Sequence, residues 1–339
     1  MSKDGRVFLR GITSEHYGLS GLRQAQMAAP RVRGPEHQDI VDGTRAGFSE
    51  GSKANWRLSP RDEPFLTQTL EVHFVDVHPD TIDAAHAHQN EAAFYILEGS
   101  GYEIHDGQRY EWEADDLVVV HTDSVHGHAS HGDPALTLVF KAKATWMLFG
   151  LIQQGRPAPV PDEGRLGTRQ EWSQLWTPGV GDRKKVVKPA DTRWETTRDG
   201  HVRVILSPDR TDVRCFSVDL YQQRIPAGSH SAKHWHMADE VLYVQSGSGV
   251  SLHWEVEAEI AERYYARVAR EPTSHEFTAG DIIYVPQNTV HRHVAGAGED
   301  VLLLSAQNRL FRFLGYDAVA HLEDAPEYQG QRAGGGMRR

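Results

Sequence analysis

The sequence predicts an all-β protein that is built from two similar domains in tandem. Its 339 residues exceed the size of one ordinary domain. Short segments rich in β-branched and aromatic residues alternate with turn signals at intervals of about eight to twelve residues, which is typical of a sandwich or barrel. One histidine pattern also occurs twice, once in each half of the chain.

The repeated pattern consists of two His-x-His pairs. The first copy contains His86, His88, His126 and His128, and the second contains His234, His236, His291 and His293. The first histidines of the two copies are 148 positions apart and the third histidines are 165 apart, which indicates an insertion of 17 residues in the second copy. A duplicated unit carrying regularly placed imidazoles points to a transition metal.

In the first half, alternating apolar and β-branched residues predict a strand from residue 70 to 77. Further strands are expected at 94–97, 102–105, 117–120 and 135–141. Between two of these segments, Asp106-Gly107 is a two-residue hairpin signal.

In the second half, similar segments predict strands at 201–206, 216–221, 241–244, 281–285 and 301–306. Short helices are expected at 22–29 and 168–175. The charged segment 255–270 lies in the insertion and is expected to form an extended hairpin or a helix. The predicted organisation is an N-terminal arm (1–66), a first domain (67–150), a proline-containing connector (151–200), a second domain (201–315) and a tail (316–339).

Composition excludes several classes of partner. A net charge of -11 argues against binding to nucleic acid or to an anionic membrane, because both select basic surfaces. Cys215 is the only cysteine, so the chain forms no internal disulfide. No apolar run reaches the ~20 residues that a membrane span requires, and the first residues lack the apolar core of a secretory signal. A cytoplasmic location is expected.

The second copy contains a complete set of metal ligands. Side chains at positions i and i+2 of a strand lie on the same face, so His234 and His236 converge, and Glu240 shares that face if the strand continues. His291 arrives from a separate strand. Three imidazoles and one carboxylate suit Fe(II), Mn, Ni, Cu or Zn and leave coordination positions open.

The second copy resembles the cupin superfamily. Gly228, His234, His236, Glu240 and Gly247 match every position of the first cupin motif, and Gly280, Pro286 and His291 match the anchoring part of the second. Asn288 and Ala295 stand where the second motif usually has Gly and Asn. The resemblance covers residues 66–150 and 200–315, and it implies a bicupin: two jelly-roll barrels in tandem with a few short helices.

The first copy departs from that pattern. Ala92 stands at the place of the glutamate ligand, and Glu91, one residue earlier, is expected to point to the opposite face. His121 and Asp115 replace the usual Pro and Gly of the second motif. The N-terminal site therefore retains only three candidate ligands, which are His86, His88 and His126. Either this site has lost its metal, or it holds iron with three histidines.

The second alternative has a parallel in gentisate, salicylate and hydroxynaphthoate dioxygenases. These resemble bicupins with a three-histidine iron site in the N-terminal barrel. The leading hypothesis is therefore an Fe(II) dioxygenase that cleaves a hydroxylated aromatic acid with O2, because an open metal site can bind a chelating substrate and O2 together. The complete C-terminal set counts against simple membership in that group.

Two further hypotheses stay open. One is a Mn-dependent enzyme similar to oxalate decarboxylase, or another lyase or isomerase. The other is a non-enzymatic cupin for storage or for binding of a small ligand, against which the intact ligand set argues. The family resemblance and the long arm suggest a homo-oligomer.

His128 and His293 are candidate functional residues that lie beside the predicted metal ligands of the two sites without being ligands themselves. Each lies two positions beyond a predicted ligand and therefore shares its inward face, where it can support a ligand or carry a proton. The alternative is a solvent-facing position at the rim. Arginines near strand-like segments could pair with a substrate carboxylate, and the sequence does not choose among Arg203, Arg224, Arg292 and Arg312.

Overall fold

The computed structural model confirms the all-β prediction and shows two barrels in tandem. It describes residues 28–35, 39–42, 53–58, 67–79, 81–82, 85–151, 154–159 and 183–330. Within these ranges the helices are two short α-helices, α1 (Lys143–Leu148) and α2 (Leu310–Phe313), and one 3-10 turn at Pro189–Asp191. The predicted helix at 168–175 and nearly all of that at 22–29 lie outside the described residues.

The N-terminal barrel consists of strands β4 to β11. They follow β1 (Val32–Arg33), β2 (Asp39–Asp42) and β3 (Lys53–Leu58) along the chain. The barrel strands are β4 (Glu71–Val77), β5 (His86–His88), β6 (Ala92–Glu98), β7 (Ser100–His105), β8 (Gln108–Glu113), β9 (Leu117–Val120), β10 (Val125–Ser130) and β11 (Ala135–Lys141). Together with β2, β3, β12 (Gln154–Gly155) and β13 (Val186–Val187), they form a large sheet in the order β13-β9-β6-β11-β4-β3-β2 and a smaller sheet in the order β12-β5-β10-β7-β8.

The C-terminal barrel consists of strands β15 to β24. It is preceded by β12 (Gln154–Gly155), β13 (Val186–Val187) and β14 (Glu195–Thr197). Its strands are β15 (Gly200–Leu206), β16 (Val218–Ile225), β17 (Lys233–His236), β18 (Glu240–Ser246), β19 (Ser248–Ile260), β20 (Tyr264–Val268), β21 (Thr273–Thr278), β22 (Ile282–Val285), β23 (Thr289–Ala295) and β24 (Val301–Asn308), and β25 (Ala320–Glu323) follows. The large sheet has the order β1-β22-β18-β24-β16-β15-β14; the other has the order β20-β19-β23-β17-β25, with β21 also paired to β19.

Each barrel receives an edge strand from the segment that precedes the other barrel. Strand β1 of the arm pairs with β22 of the C-terminal barrel, and β13 of the connector pairs with β9 of the N-terminal barrel. In addition, β3 continues the large N-terminal sheet beside β4. Arm and connector therefore supply strands to the barrels.

The two large sheets share one apolar core. This core joins side chains of both halves, among them Tyr95, Leu138, Leu220 and Tyr284, which are fully buried. Separate apolar clusters fill the inside of each barrel. Burial of apolar surface is the main stabilising contribution in such an arrangement, so the halves hold each other in a fixed relation.

Two hairpin predictions can be compared with the structure. Asp106 and Gly107 have φ values of 48° and 82°, and they join β7 to β8 as predicted. The charged insertion is an extended hairpin, in which β19 continues to Ile260 and pairs with β20. Part of the predicted tail is ordered, because β25 pairs with β17 next to His234. In the described part of the chain, no helix is long and apolar enough to cross a membrane.

Candidate metal centres

The C-terminal barrel brings its four predicted ligands together. Strand β17 carries His234 and His236, β18 begins with Glu240, and β23 places His291 directly opposite His234. One donor atom from each residue lies within 4.8 Å of the donors of the other three. All four side chains are buried. Strand alternation accounts for the shared face of His234 and His236, but the strand ends at His236, and Glu240 reaches the site from β18 in the other sheet.

Hydrogen bonds fix the imidazole rings in one tautomer. Nδ1 of His236 donates to the carbonyl of Ala238 at 2.8 Å, and Nδ1 of His291 donates to the carbonyl of Thr289 at 3.1 Å. Nδ1 of His234 lies 3.4 Å from the carbonyl of Ala232. A carbonyl oxygen only accepts, so each neutral ring carries its proton on Nδ1 and directs the Nε2 lone pair into the barrel.

The carboxylate of Glu240 is oriented in the same way. The hydroxyl groups of Tyr221 and Ser305 both donate to Oε1. Oε2 faces the imidazoles and lies 3.1 Å from Nε2 of His236 and 3.2 Å from Nε2 of His291. The two hydroxyl hydrogen bonds to Oε1 favour the ionised form of the carboxylate. The group is therefore ionised.

This donor set fits a divalent transition metal. Burial, together with the neighbouring imidazoles, lowers the pKa of His234 well below its ordinary value, so the ring stays neutral. Three lone pairs and one carboxylate oxygen then face a common point without protons between them. That arrangement is unfavourable unless a cation is bound there, and it is the arrangement that metal sites of this type require.

Other residues lie around this centre, and the sequence did not identify them. Asp199, which precedes β15, lies 3.7 Å from Nδ1 of His234 and accepts a hydrogen bond from His321 of β25 at 2.7 Å. The side-chain amide of Gln307 lies 3.3 Å from Nε2 of His236. Like Tyr221 and Ser305, these residues belong to segments with no recognisable motif, so they become visible only when the sheets are assembled.

The N-terminal barrel also brings its three predicted histidines together. His86 on β5 lies opposite His126 on β10, and the donor atoms of His86, His88 and His126 lie within 4.8 Å of one another. Nδ1 of His88 donates to Asn90 at 2.7 Å, and Nδ1 of His126 donates to Ser124 at 2.9 Å. The Nε2 atoms of His88 and His126 are buried and have no hydrogen-bond partner among the described residues.

Among the described residues, no carboxylate completes this N-terminal set. Ala92 begins β6 as Glu240 begins β18, and the carboxylate of Glu91 points away from the histidines into the interface between the barrels. There it accepts hydrogen bonds from the backbone amides of Phe216 and Ser217, at 2.9 and 2.8 Å, and from the Ser217 hydroxyl at 2.7 Å. Glu91 thus points away from the histidines, as strand alternation predicts.

A buried lysine lies near the missing carboxylate. Phe140 pairs with Ala93, so the next position of the register places Lys141 opposite Ala92. The equivalent pair in the C-terminal barrel is Gln307 opposite Glu240. Lys141 is 6% exposed. Burial lowers its pKa to about 8, and its charge contributes to lowering the pKa of His88.

His128 and His293 lie inside the barrels and form equivalent hydrogen bonds. His128 pairs with Glu103 of β7 and contacts its carboxylate at 2.9 Å, whereas His293 pairs with Ser251 of β19 and contacts its hydroxyl at 3.1 Å. Burial raises the pKa of Glu103, but His128 and His105 outweigh burial and lower that pKa to about 2. His293 is 1% exposed, so the rim alternative is wrong for that residue.

Comparison with known proteins identifies the family. One cupin domain model matches residues 73–140, and a second cupin model matches residues 196–309. The chain is a bicupin. A comparison of the bicupin with curated protein sequences gives no significant match.

Solved structures with the fold of this bicupin include oxalate decarboxylases. A deletion mutant of Bacillus subtilis oxalate decarboxylase has 14% sequence identity and a TM-score of 0.57, and the match covers 87% of this chain and 80% of the other. A structure of the Bacillus subtilis enzyme that was used to study its Mn(II) centres gives the same values. At this level of identity the similarity shows the fold. Neither structure is a gentisate or salicylate dioxygenase, so the predicted likeness to those enzymes gains no support.

Proposed function

We propose that this bicupin is a metal-dependent enzyme that decarboxylates a small carboxylic acid in its C-terminal barrel. The observation that carries the proposal is the buried set of His234, His236, Glu240 and His291, with each donor held in place by a second hydrogen bond. The shared fold with Mn(II)-containing oxalate decarboxylases supports both the reaction class and the metal. This is the alternative among the sequence hypotheses, and it now replaces the Fe(II) dioxygenase as the leading one.

The proposed roles follow from the geometry. The four ligands would hold Mn(II), and the bound metal would supply positive charge for a substrate carboxylate. Tyr221 and Ser305 keep Oε2 of Glu240 directed at the ligand centre. Decarboxylation breaks a C–C bond, releases CO2 and places a proton on the remaining carbon, so the site must also deliver a proton.

His293 is the proposed proton carrier of the C-terminal barrel. Its ring centre lies 5.7 Å from that of His291, and Ser251 hydrogen-bonds to both His293 and His253 at 3.1 and 2.9 Å. A chain of imidazole and hydroxyl groups can carry a proton without opening the barrel. In the N-terminal barrel, His128 and Glu103 occupy the same positions, and we assign His128 the corresponding role.

Oxidative ring cleavage is the second candidate. The three-histidine set of the N-terminal barrel favours it, since His86, His88 and His126 converge without a carboxylate from the described residues. The two candidates differ in stoichiometry, because ring cleavage consumes one O2 per substrate and decarboxylation consumes none. Binding of a small ligand without turnover is the non-enzymatic alternative, and the complete C-terminal set argues against it.

A substrate panel tests these alternatives. The protein is loaded with Mn(II) or Fe(II), and CO2 release and O2 consumption are measured with oxalate, malonate, gentisate and salicylate. We expect CO2 release from a small dicarboxylate without stoichiometric O2 consumption, and its loss in Glu240→Gln with retention in His86→Ala. Ring cleavage with matching O2 consumption would contradict the decarboxylase, and the absence of turnover under every condition would contradict both.

A further inference from the structure

The segment that follows the C-terminal barrel returns to the edge of its metal centre. Strand β25 pairs with β17, and the register places His321 directly opposite His234, one of the four candidate ligands. The centres of the two rings lie 5.9 Å apart. The other residues of β25 are exposed, whereas only 12% of the His321 side chain is exposed. Within β25, His321 is therefore the residue that turns inward, beside a ligand.

One carboxylate oxygen links His321 to His234. Nε2 of His321 donates to Oδ1 of Asp199 at 2.7 Å, and the same oxygen lies 3.7 Å from Nδ1 of His234. The longer distance exceeds that of a hydrogen bond, so Asp199 acts on His234 through its charge. The side chain of Asp199 is 31% exposed, and water therefore screens this charge only in part.

His234 is the ligand histidine whose ring is held least firmly by a backbone carbonyl. The carbonyl that faces its Nδ1 lies at 3.4 Å, compared with 2.8 Å for His236 and 3.1 Å for His291. A long hydrogen bond orients a ring less firmly than a short one. A metal ion on Nε2 draws electron density from the ring and makes the hydrogen on Nδ1 more positive, so the nearby carboxylate of Asp199 attracts the ring more strongly once the metal is bound.

Backbone and side-chain contacts attach the chain after β25 to the turn that carries Asp199. This turn joins β14 to β15. The amide of Ala325 donates to the carbonyl of Arg198 at 2.9 Å, and the guanidinium of Arg198 contacts the carboxylate of Asp324 at 2.5 Å. Gln223 of β16 donates to the carbonyl of Asp199 at 2.7 Å. Asp199 and the segment 320–325 are therefore held together as one unit beside the barrel.

We propose that residues 320–325, which we name the tail strap, are coupled to metal binding in the C-terminal barrel through Asp199. Asp199, held in place by His321 of the tail strap, is a positioning residue for the ligand His234. The metal binds more tightly when the strap is docked, and the strap docks more firmly when the metal is bound. A coupling free energy between two binding events acts equally in both directions, so each effect implies the other.

The tail strap rests on the metal centre of the proposed function but not on its reaction, so the two ideas can fail separately. Coupling between strap and metal, without CO2 release from any acid, would contradict the decarboxylase alone. Mn(II) bound at the C-terminal centre without any effect on the strap would contradict the tail strap alone. A C-terminal centre that binds no Mn(II) would contradict both.

Hydrogen exchange of the full chain tests the coupling directly. Exchange of the backbone amides at 320–325 is followed by mass spectrometry with and without saturating Mn(II). In the wild type, Mn(II) should slow this exchange about tenfold, within the usual range for coupled sites. His86→Ala should show the same slowing, because it leaves the C-terminal centre intact. Asp199→Asn should lose most of it, because the charge that links strap and ligand is gone.

The affinity for Mn(II) is the reciprocal measurement. Asp199→Asn keeps an acceptor for His321 but removes the charge, and it should weaken Mn(II) binding about tenfold, the scale of outer partners at metal sites. Asp324→Asn is the matched control, because it removes an exposed ion pair of the same strap, and it should bind Mn(II) like the wild type.

A second variant keeps the test decisive if Asp199→Asn folds poorly. His321→Phe leaves the charge of Asp199 but removes the donor that holds it, and it should weaken Mn(II) binding about fivefold, at the lower end of the range for coupled sites. The unfolding midpoint of each variant is measured alongside. Equal Mn(II) affinity in Asp199→Asn and Asp324→Asn, or strap exchange that Mn(II) leaves unchanged, would overturn the proposal.

Discussion

The two barrels share one scaffold but differ in where they place their acidic groups. In both, the third residue after the second ligand histidine is an acid that binds the other half of the molecule. Glu91 accepts hydrogen bonds from residues 216 and 217, and Asp239 accepts two from Thr69, including one from its amide at 2.9 Å. Among the described residues, the C-terminal barrel alone adds an acid, Glu240, directed at its three ligand histidines, whereas Glu103 of the N-terminal barrel contacts His128 and His105.

The electrostatic environments of the two histidine sets differ accordingly. The C-terminal set contains an ionised carboxylate whose orientation is fixed by Tyr221 and Ser305. The N-terminal set has Ala92 at that position and a buried lysine, Lys141, on the adjacent strand. At the ligand histidines, a cation is therefore favoured more strongly in the first environment than in the second. We therefore expect the two histidine sets to bind a metal ion with different affinities.

The largest expected effect is the loss of Glu240. Glu240→Gln removes the only negative charge among the four ligands and should weaken metal binding in the C-terminal barrel about 1,000-fold, the scale of breaking a buried charge pair. Competition with a metal-binding dye measures the affinity. His86→Ala is the control, because it should change only the N-terminal site. Equal losses of metal affinity in Glu240→Gln and His86→Ala would mean that the two barrels do not differ in how strongly they hold a metal ion.

Replacement of Lys141 should stabilise the protein. Its pKa is about 8 in the folded state against 10.5 ordinarily, so the unfolding free energy falls as the pH drops from about 10.5 to about 8. Lys141→Met removes that cost and should add about 3 kcal/mol to the unfolding free energy at pH 7, at 1.36 kcal/mol per pKa unit. The gain should vanish above about pH 10.5.

Urea unfolding at several pH values measures this gain. Lys143→Met, only two residues away at the start of α1, is the matched control and should change stability little. The same Lys141→Met variant should hold metal more tightly in the N-terminal barrel. A stability loss at pH 7, with a pH profile parallel to that of the wild type, would show that Lys141 is well compensated where it lies.

Both acids between the barrels should contribute to stability. Glu91→Gln removes a carboxylate that binds two amides and a hydroxyl, and it should lower the unfolding free energy by about 2 kcal/mol. Asp239→Asn removes a carboxylate that accepts from the Thr69 hydroxyl and from the amides of Thr69 and Leu70, and its cost should be similar. Chemical denaturation of both variants measures these losses. An unchanged unfolding free energy in either variant would contradict the contribution of that acid.

The smallest effect is expected from the residues that orient Glu240. Tyr221→Phe removes one hydroxyl donor and should weaken metal binding about tenfold, within the range for outer hydrogen bonds at metal sites. The same dye competition applies. Tyr243→Phe, on β18, is a control outside the ligand centre. Metal affinity in Tyr221→Phe indistinguishable from that control would show that Ser305 alone orients the carboxylate.

Much of this architecture follows from local sequence rules. Strand alternation placed His234 and His236 on one face and turned Glu91 away from the histidines, and the Asp106-Gly107 turn located a hairpin. These features depend on neighbouring residues, so a linear pattern encodes them. The predicted domain boundaries and the homo-oligomer stay predictions.

The remaining features depend on contacts between distant segments. Strand exchange by β1 and β13, the partners of Glu240, and the position of His321 arise from pairing of segments that are far apart in sequence. Lys141 could have been noticed as a charged residue at the end of an apolar strand, but only the register shows that it lies opposite Ala92. Such pairings have no signature in a single sequence.

The most direct test of the central claim is an anomalous diffraction map of crystals of the protein loaded with Mn(II). We expect a strong peak between His234, His236, Glu240 and His291, and a weaker peak or none between His86, His88 and His126. A peak in the N-terminal barrel alone, or no peak in the C-terminal one, would contradict the claim.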